Sequence, residues 1–142
     1  EGNTLNLTKS SKQLFLALEE FGLKRGNKIK NNVEIPSWIF ENVAYMKSCI
    51  RGLIDTDGTV CPITGRDYTY IWFKSSIPNL RESFENIMGL LDYKIAKWCG
   101  SKTKLSDRIS YQTYIGNKEG IRKYYKEIGF NNKKHEKRFR LP

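Results

Sequence analysis

Three cysteines, one histidine and fewer acids than bases are the scarcities that first narrow the reading of this 142-residue sequence. Cys49, Cys61 and Cys99 are odd in number and widely spaced, with no Cys-x-x-Cys pair and no Cys/His cluster. That excludes a disulfide framework and a structural zinc site, and it fits a reducing interior with small buried thiols. No apolar run approaches the ~20 residues of a membrane span. No signal-peptide pattern opens the sequence, so an intracellular protein is expected, in a prokaryotic cytoplasm or an organelle, neither secreted nor membrane-bound. Asp and Glu total 15 against 25 Lys and Arg, which leaves +10 and a pI near 9.6. Such an excess points to a polyanion, nucleic acid or an acidic membrane surface, and the missing apolar segments favour nucleic acid. A generally basic proteome would give the same excess.

Against these absences, hydrophobic residues make up 39%, with three Trp, eight Tyr and seven Phe. That is the composition of one folded domain and not of a disordered chain. Alternation at 4–8 predicts a strand. Residues 10–21 read as a helix, capped by Ser10 or Ser11, with Leu14, Leu18 and Phe21 at helical spacing. Gly22 ends it before a basic stretch. Pro36 opens a short helix over 36–40. The clearest helix spans 43–54, with Val43, Met46, Ile50, Leu53 and Ile54 on one face. Strands are expected at 59–63 and 68–74, joined as a hairpin. A helix follows over 78–91, then a second hairpin from 94–98 and 108–115 with a polar linker at 100–107. A last helix runs over 118–128, and the tail 131–140 reads as a basic extension. From 43 onward the order is helix, strand, strand, helix, strand, strand, helix.

Residues 5–28 and 114–135 share an order of strand, polar turn, helix, glycine and basic stretch. The first thirty residues therefore read as a lead-in, either the tail of an earlier copy of the unit or a coincidence of a common pattern. Residues 31–142 form the main domain.

The most informative stretch is Ile50-Arg51-Gly52-Leu53-Ile54-Asp55-Thr56-Asp57-Gly58. Ser48, Gly52 and Thr56 recur every four residues, a stripe of small side chains along which a second helix can approach closely. Asp55 and Asp57 lie at the C-terminal end of that helix, where the macrodipole is already negative. A divalent cation held by hard carboxylate oxygens would compensate. An Asp-Gly turn ending a strand is the plainer reading of the same residues.

The segment resembles the LAGLIDADG motif of homing endonucleases. Gly52, Leu53, Ile54, Asp55, Asp57 and Gly58 match it, while Ile50, Arg51 and Thr56 depart from it. Arg in the second place is common among archaeal members, and Thr56 stays small enough for a helix contact. The resemblance runs from about residue 33 to the C-terminus. It implies an α+β fold of order αββαββα: a saddle with an antiparallel four-stranded sheet, helices on one face and DNA on the other. It implies that two motif helices pack about a two-fold axis through Ser48, Gly52 and Thr56. That means a homodimer, or the C-terminal half of a two-motif protein. It also implies that Asp57 binds Mg²⁺, with the Thr56 carbonyl contributing and Mn²⁺ or Ca²⁺ able to substitute in binding. Asp55 would be structural. A lysine past the Gly129-Phe130 step, Lys134 with Lys133 as its rival, would stabilise charge on the phosphate or orient the attacking water.

Strand alternation divides side chains between the two faces. Ile71 and Phe73 point inward, so Tyr68, Tyr70, Trp72 and Lys74 point outward. Ile109, Tyr111 and Ile115 point inward, so Arg108, Ser110, Gln112 and Tyr114 point outward. On the first strand the face is open between Val60 and Cys61. By the resemblance the outward set meets DNA and suits a β-ribbon reading base edges. Arg66, Lys102 and Lys104 in hairpin loops suit phosphates, Lys74 and Ser75 suit solvent near the metal, and Lys133 suits the backbone. The implied activity is site-specific double-stranded DNA cleavage by a protein encoded within an intron or intein. The alternatives are an RNA maturase and a non-catalytic DNA-binding module of the same fold.

Overall fold

The computed structural model describes residues 10–103 and 106–142, with only the backbone at 103 and 106–108. The expected strand at 4–8, the start of the internal echo, and Lys104 lie outside the described residues. The first helix, α1 (Lys12–Glu20), is capped by Ser11, whose Oγ accepts the Leu14 amide at 3.2 Å. None of its residues is buried, and Leu14, Leu18 and Phe21 remain exposed. The segment expected as a helix over 36–40 is a 3-10 turn at Ser37–Glu41, because Pro36 stays extended and caps it.

The central helix, α2 (Val43–Asp57), starts where Asn42 Oδ1 accepts the Ala44 amide at 2.7 Å. Its buried residues, Met46, Ile50 and Ile54, are four apart and form one stripe. The helix runs three residues past the expected end and so carries both acids. Strands β1 (Gly58–Pro62) and β2 (Thr69–Ser75) follow as a hairpin, then α3 (Pro78–Leu90) with proline in its first turn. Strands β3 (Cys99–Thr103) and β4 (Ser106–Ile115) come next, then α4 (Lys118–Glu127) and α5 (Lys133–Arg138).

The four strands form one antiparallel sheet of order β1-β2-β4-β3. Val60, Ile71, Phe73 and Ile115 point to the helix side, where Ile50, Ile54, Phe84, Met88, Ile121 and Tyr124 complete the core. Phe73 stacks on Phe84 with ring centroids 4.2 Å apart. Each such side chain contributes about 1.5–3 kcal/mol by leaving water. The αββαββα order expected from the sequence is present from α2 to α4, and α5 extends it.

Two expectations are corrected. The second hairpin uses Cys99–Thr103 and not 94–98, so the expected linker is largely strand. The 94–98 segment is instead pinned to the sheet and to α3: Thr113 Oγ1 of β4 donates to Ala96 O at 2.6 Å and Trp98 Nε1 donates to Glu85 of α3 at 3.0 Å. Ile109, expected inward, is 45% exposed.

Candidate active site and nucleic-acid face

The two acids of α2 have different surroundings. Asp55 Oδ2 accepts the Asn131 amide at 2.9 Å, and the Asp55 carbonyl accepts Asn132 Nδ2 at 2.8 Å. One residue earlier, the Ile54 carbonyl meets Nε2 of buried His135 at 3.1 Å, which makes that ring nitrogen the donor. The segment after α4 and the first turn of α5 thus satisfy acceptors at the end of α2. Asp55 belongs to this clamp, in keeping with a structural acid. Its charge adds to burial in pushing the pKa of the Tyr124 hydroxyl upward, burial being the larger cause.

Asp57 faces the other way. Its side chain is 42% exposed, and among the described residues its one ion-pair partner is Lys28 Nζ, 3.3 Å from Oδ2. It borders two shallow hollows. One, of about 280 Å³, also involves Lys28, Lys74, Ser76 and Ser110. The other, of about 300 Å³, involves Thr59, Cys61, Trp72, Lys74 and Gln112. Thr56 turns its hydroxyl back to the Gly52 carbonyl at 2.9 Å. The Thr56 carbonyl lies in the last turn, where no i+4 amide of the helix reaches it.

No group of three or more His, Cys, Asp or Glu that could hold a metal occurs among the described residues. The described residues therefore offer no closed protein cage. One open carboxylate and one free carbonyl do fit Mg²⁺, which keeps several waters and takes one or two carboxylates together with phosphate oxygens.

Register settles the face left open in β1: Thr59 and Cys61 pair with Trp72 and Tyr70, while Val60 pairs with Ile71 on the core side. Across the sheet, Trp72 pairs with Tyr114 and Lys74 with Gln112, and Gln112 pairs in turn with Cys99. Tyr70, Trp72, Lys74, Ser110, Gln112 and Tyr114 therefore share the face away from the helices, all half-buried. Their rings pack on one another, Tyr70 parallel to Tyr114 at 5.1 Å and Trp72 against Tyr114 at 4.4 Å.

Other expected contacts sit elsewhere. Tyr68 precedes β2 and is buried, its hydroxyl accepting Arg66 NH1 at 3.2 Å. Ser75 is also buried: it follows Phe73 by two residues and so points to the core side, where its Oγ accepts the Ile77 amide at 3.1 Å. Tyr68 was expected on the outer face; Ser75, expected near the metal, borders the hollow beside Asp57. Lys102 belongs to β3 and not to a loop, and it pairs with Ile109, which has core-side parity. Arg108 lies in β4 at the register shift between β3 and β4, and its side chain lies outside the described residues. Arg66 is exposed in the first hairpin turn, as expected. Lys133 and Lys134 open α5, which packs against β1, and both are exposed. Ser48, Gly52 and Thr56 are all exposed, and a Cβ on Gly52 would meet nothing within 4 Å.

Lys28, Asn132 and His135 were missed from the sequence. Asn132 had a readable signal, since its Oδ1 accepts the Lys134 amide at 3.0 Å as an N-cap before a run of helix formers. Lys28 had none, because its contact with Asp57 spans 29 residues.

An α+β domain with an open carboxylate at the rim of a polar sheet face is the arrangement of a homing-endonuclease or maturase type. Residues 44–129 match the LAGLIDADG-like domain, and the chain belongs to the LAGLIDADG family. It is also 24% identical over 138 residues to the tRNA-splicing ligase RtcB of Methanopyrus kandleri, across 92% of this chain but 14% of that protein. The tRNA-splicing ligase RtcB of Pyrococcus furiosus is 27% identical over 130 residues, across 87% of the chain and 13% of its own length. That of Pyrococcus abyssi is 26% identical over 139 residues, across 92% and 15%. The chain spans about a seventh of the length of these relatives.

Proposed function

We propose that this domain is a site-specific double-stranded DNA endonuclease that hydrolyses phosphodiester bonds with a divalent metal and leaves a staggered cut. The observation that carries the reading is the position of Asp57. It is the exposed acid of the motif, and the hollows beside it also hold Lys74 and Gln112 of the outer sheet face. A duplex lying on that face would bring a phosphate to the acid.

In this reading Asp57 and the Thr56 carbonyl hold Mg²⁺. When bound, the metal polarises the phosphate and makes water nucleophilic near neutral pH. Lys134, with Lys133 beside it, stabilises the developing phosphate charge. Tyr70, Trp72, Ser110, Gln112 and Tyr114 meet base edges and sugars, while Arg66 and Lys74 meet phosphates. A second copy packs along Ser48, Gly52 and Thr56 and brings a second Asp57, so each protomer cuts one strand.

The test is a cleavage selection on random duplex DNA, in Mg²⁺ and in EDTA. Enrichment of one long site with staggered ends, in Mg²⁺ alone, supports the proposal. Binding of structured RNA with no DNA cut in either condition overturns it in favour of a maturase.

A further inference from the structure

Lys28 reaches Asp57 from outside the matched region, across the segment that precedes α2. The ion pair does not hold that segment in place. Both side chains are solvent-exposed, at 62% and 42%, and exposed pairs of that kind add little to stability. The segment is built by other bonds. Asn27 Oδ1 accepts the Ile29 and Lys30 amides at 2.9 and 3.2 Å, and the Val33 amide donates to the Lys28 carbonyl at 3.2 Å. Asn32 Oδ1 accepts the Asn79 amide at the start of α3 at 3.3 Å, and Ile29 packs against the core. A folded turn therefore aims the Lys28 ammonium at the acid.

The charge around Asp57 favours a further anion. Lys28 and Lys74 both border the same hollow of about 280 Å³, with Asp57 as its single carboxylate. Lys74 has no carboxylate partner among the described residues. A divalent cation on Asp57 would leave Lys28 beside like charge, and the ammonium would then need a new anion within reach. Lys134, to which the resemblance gives the phosphate-side role, borders neither hollow at Asp57.

We infer that Lys28 is a substrate-contacting residue: it pairs with Asp57 in the free protein and transfers to the scissile phosphate when metal and DNA are bound. The inference rests on the endonuclease reading but is tested separately from it.

The probe is a duplex selected by binding in Ca²⁺, carrying single ethylated phosphates and offered to wild type, Lys28→Met and Lys28→Arg. With wild type, ethylation of the scissile phosphate in each half-site blocks binding, in addition to the positions met by the other basic residues. With Lys28→Met that block is lost, and with Lys28→Arg it is kept. In Mg²⁺, wild type cuts at that phosphate, and Lys28→Met cuts it about 10²-fold more slowly in a single turnover. An interference pattern and a cutting rate unchanged in Lys28→Met overturn the inference while the endonuclease reading stands. Loss of the block with no cutting by wild type supports the contact and overturns the endonuclease reading instead.

Discussion

Gly58 closes the motif at the point where α2 passes into β1, and a methyl group there has no room. A Cβ would lie 2.5 Å from the Ile54 carbonyl oxygen, 2.7 Å from the Ile54 Cα and 2.9 Å from the Trp72 carbonyl oxygen. All three are backbone atoms, so no rotamer change relieves the clash. Ordinary contacts are about 3.5 Å, so helix and strand must separate by several tenths of an ångström or more. Overpacking of this kind costs about 1–3 kcal/mol. Moving the Ile54 carbonyl also strains its contact with His135, worth about 1 kcal/mol more. Gly58→Ala should therefore lose about 2–4 kcal/mol and lower the melting temperature by roughly 6–12 °C. Gly52→Ala is the control in the same helix, because a Cβ there meets nothing within 4 Å. It should raise protomer stability by about 0.5–1 kcal/mol through helix propensity, and weaken any dimer built on the small-residue stripe. Melting by circular dichroism at two protein concentrations, with sedimentation equilibrium, reads both effects. A Gly58→Ala protein melting within about 2 °C of wild type would refute the steric reasoning.

Asp55→Ala should free the segment between α4 and α5 and cost about 1–3 kcal/mol, with faster amide exchange at 131–138; unchanged exchange there would contradict the clamp. Lys47 holds Glu127 at 2.8 Å, and this hydrogen bond, aided by the charges of Lys47, Lys123 and Lys126, keeps the Glu127 carboxyl below its usual range. A carboxyl depressed on folding stabilises the native state above its unfolded pKa and loses that contribution as pH falls through its folded one. Glu127→Gln should thus be less stable than wild type near pH 7 by about 0.2–1 kcal/mol, with the gap closing below about pH 4 in paired melts. Burial pushes the Cys49 thiol up to about 11, so iodoacetamide at pH 8 should modify exposed Cys99 first and leave Cys49 until the protein unfolds, as read by mass spectrometry of the peptides.

The parts of the fold legible in the sequence are those where side-chain pattern and backbone agree. Met46, Ile50 and Ile54 alternate with polar residues at helical spacing, and 69–75 alternates at strand spacing, so both elements fell close to their expected limits. The third strand was hidden because its sequence, Cys-Gly-Ser-Lys-Thr, carries no strand pattern. An edge strand needs only backbone pairing with its neighbour, and the apolar residues that invited a strand, Ile95 and Trp98, pack from a loop instead. Tyr68 misled because it lies just before β2, where neighbouring segments cover it. Asp57 was legible through its motif. Part of its setting was legible too, since Lys74 and Ser75, expected near the metal, border the hollow beside it, whereas Lys28 reaches it through a tertiary contact that no local spacing encodes.

The measurement closest to the central claim is single-turnover cleavage of a selected duplex by wild type and by Asp57→Asn, with binding of each measured in Ca²⁺. The charge-removing change keeps the side chain's size, so the fold should be preserved. The expected result is that Asp57→Asn binds the duplex but shows no strand scission in Mg²⁺, while wild type cuts both strands. Cleavage by Asp57→Asn at the wild-type rate would contradict the account, since the exposed acid of the motif would then have no part in the chemistry.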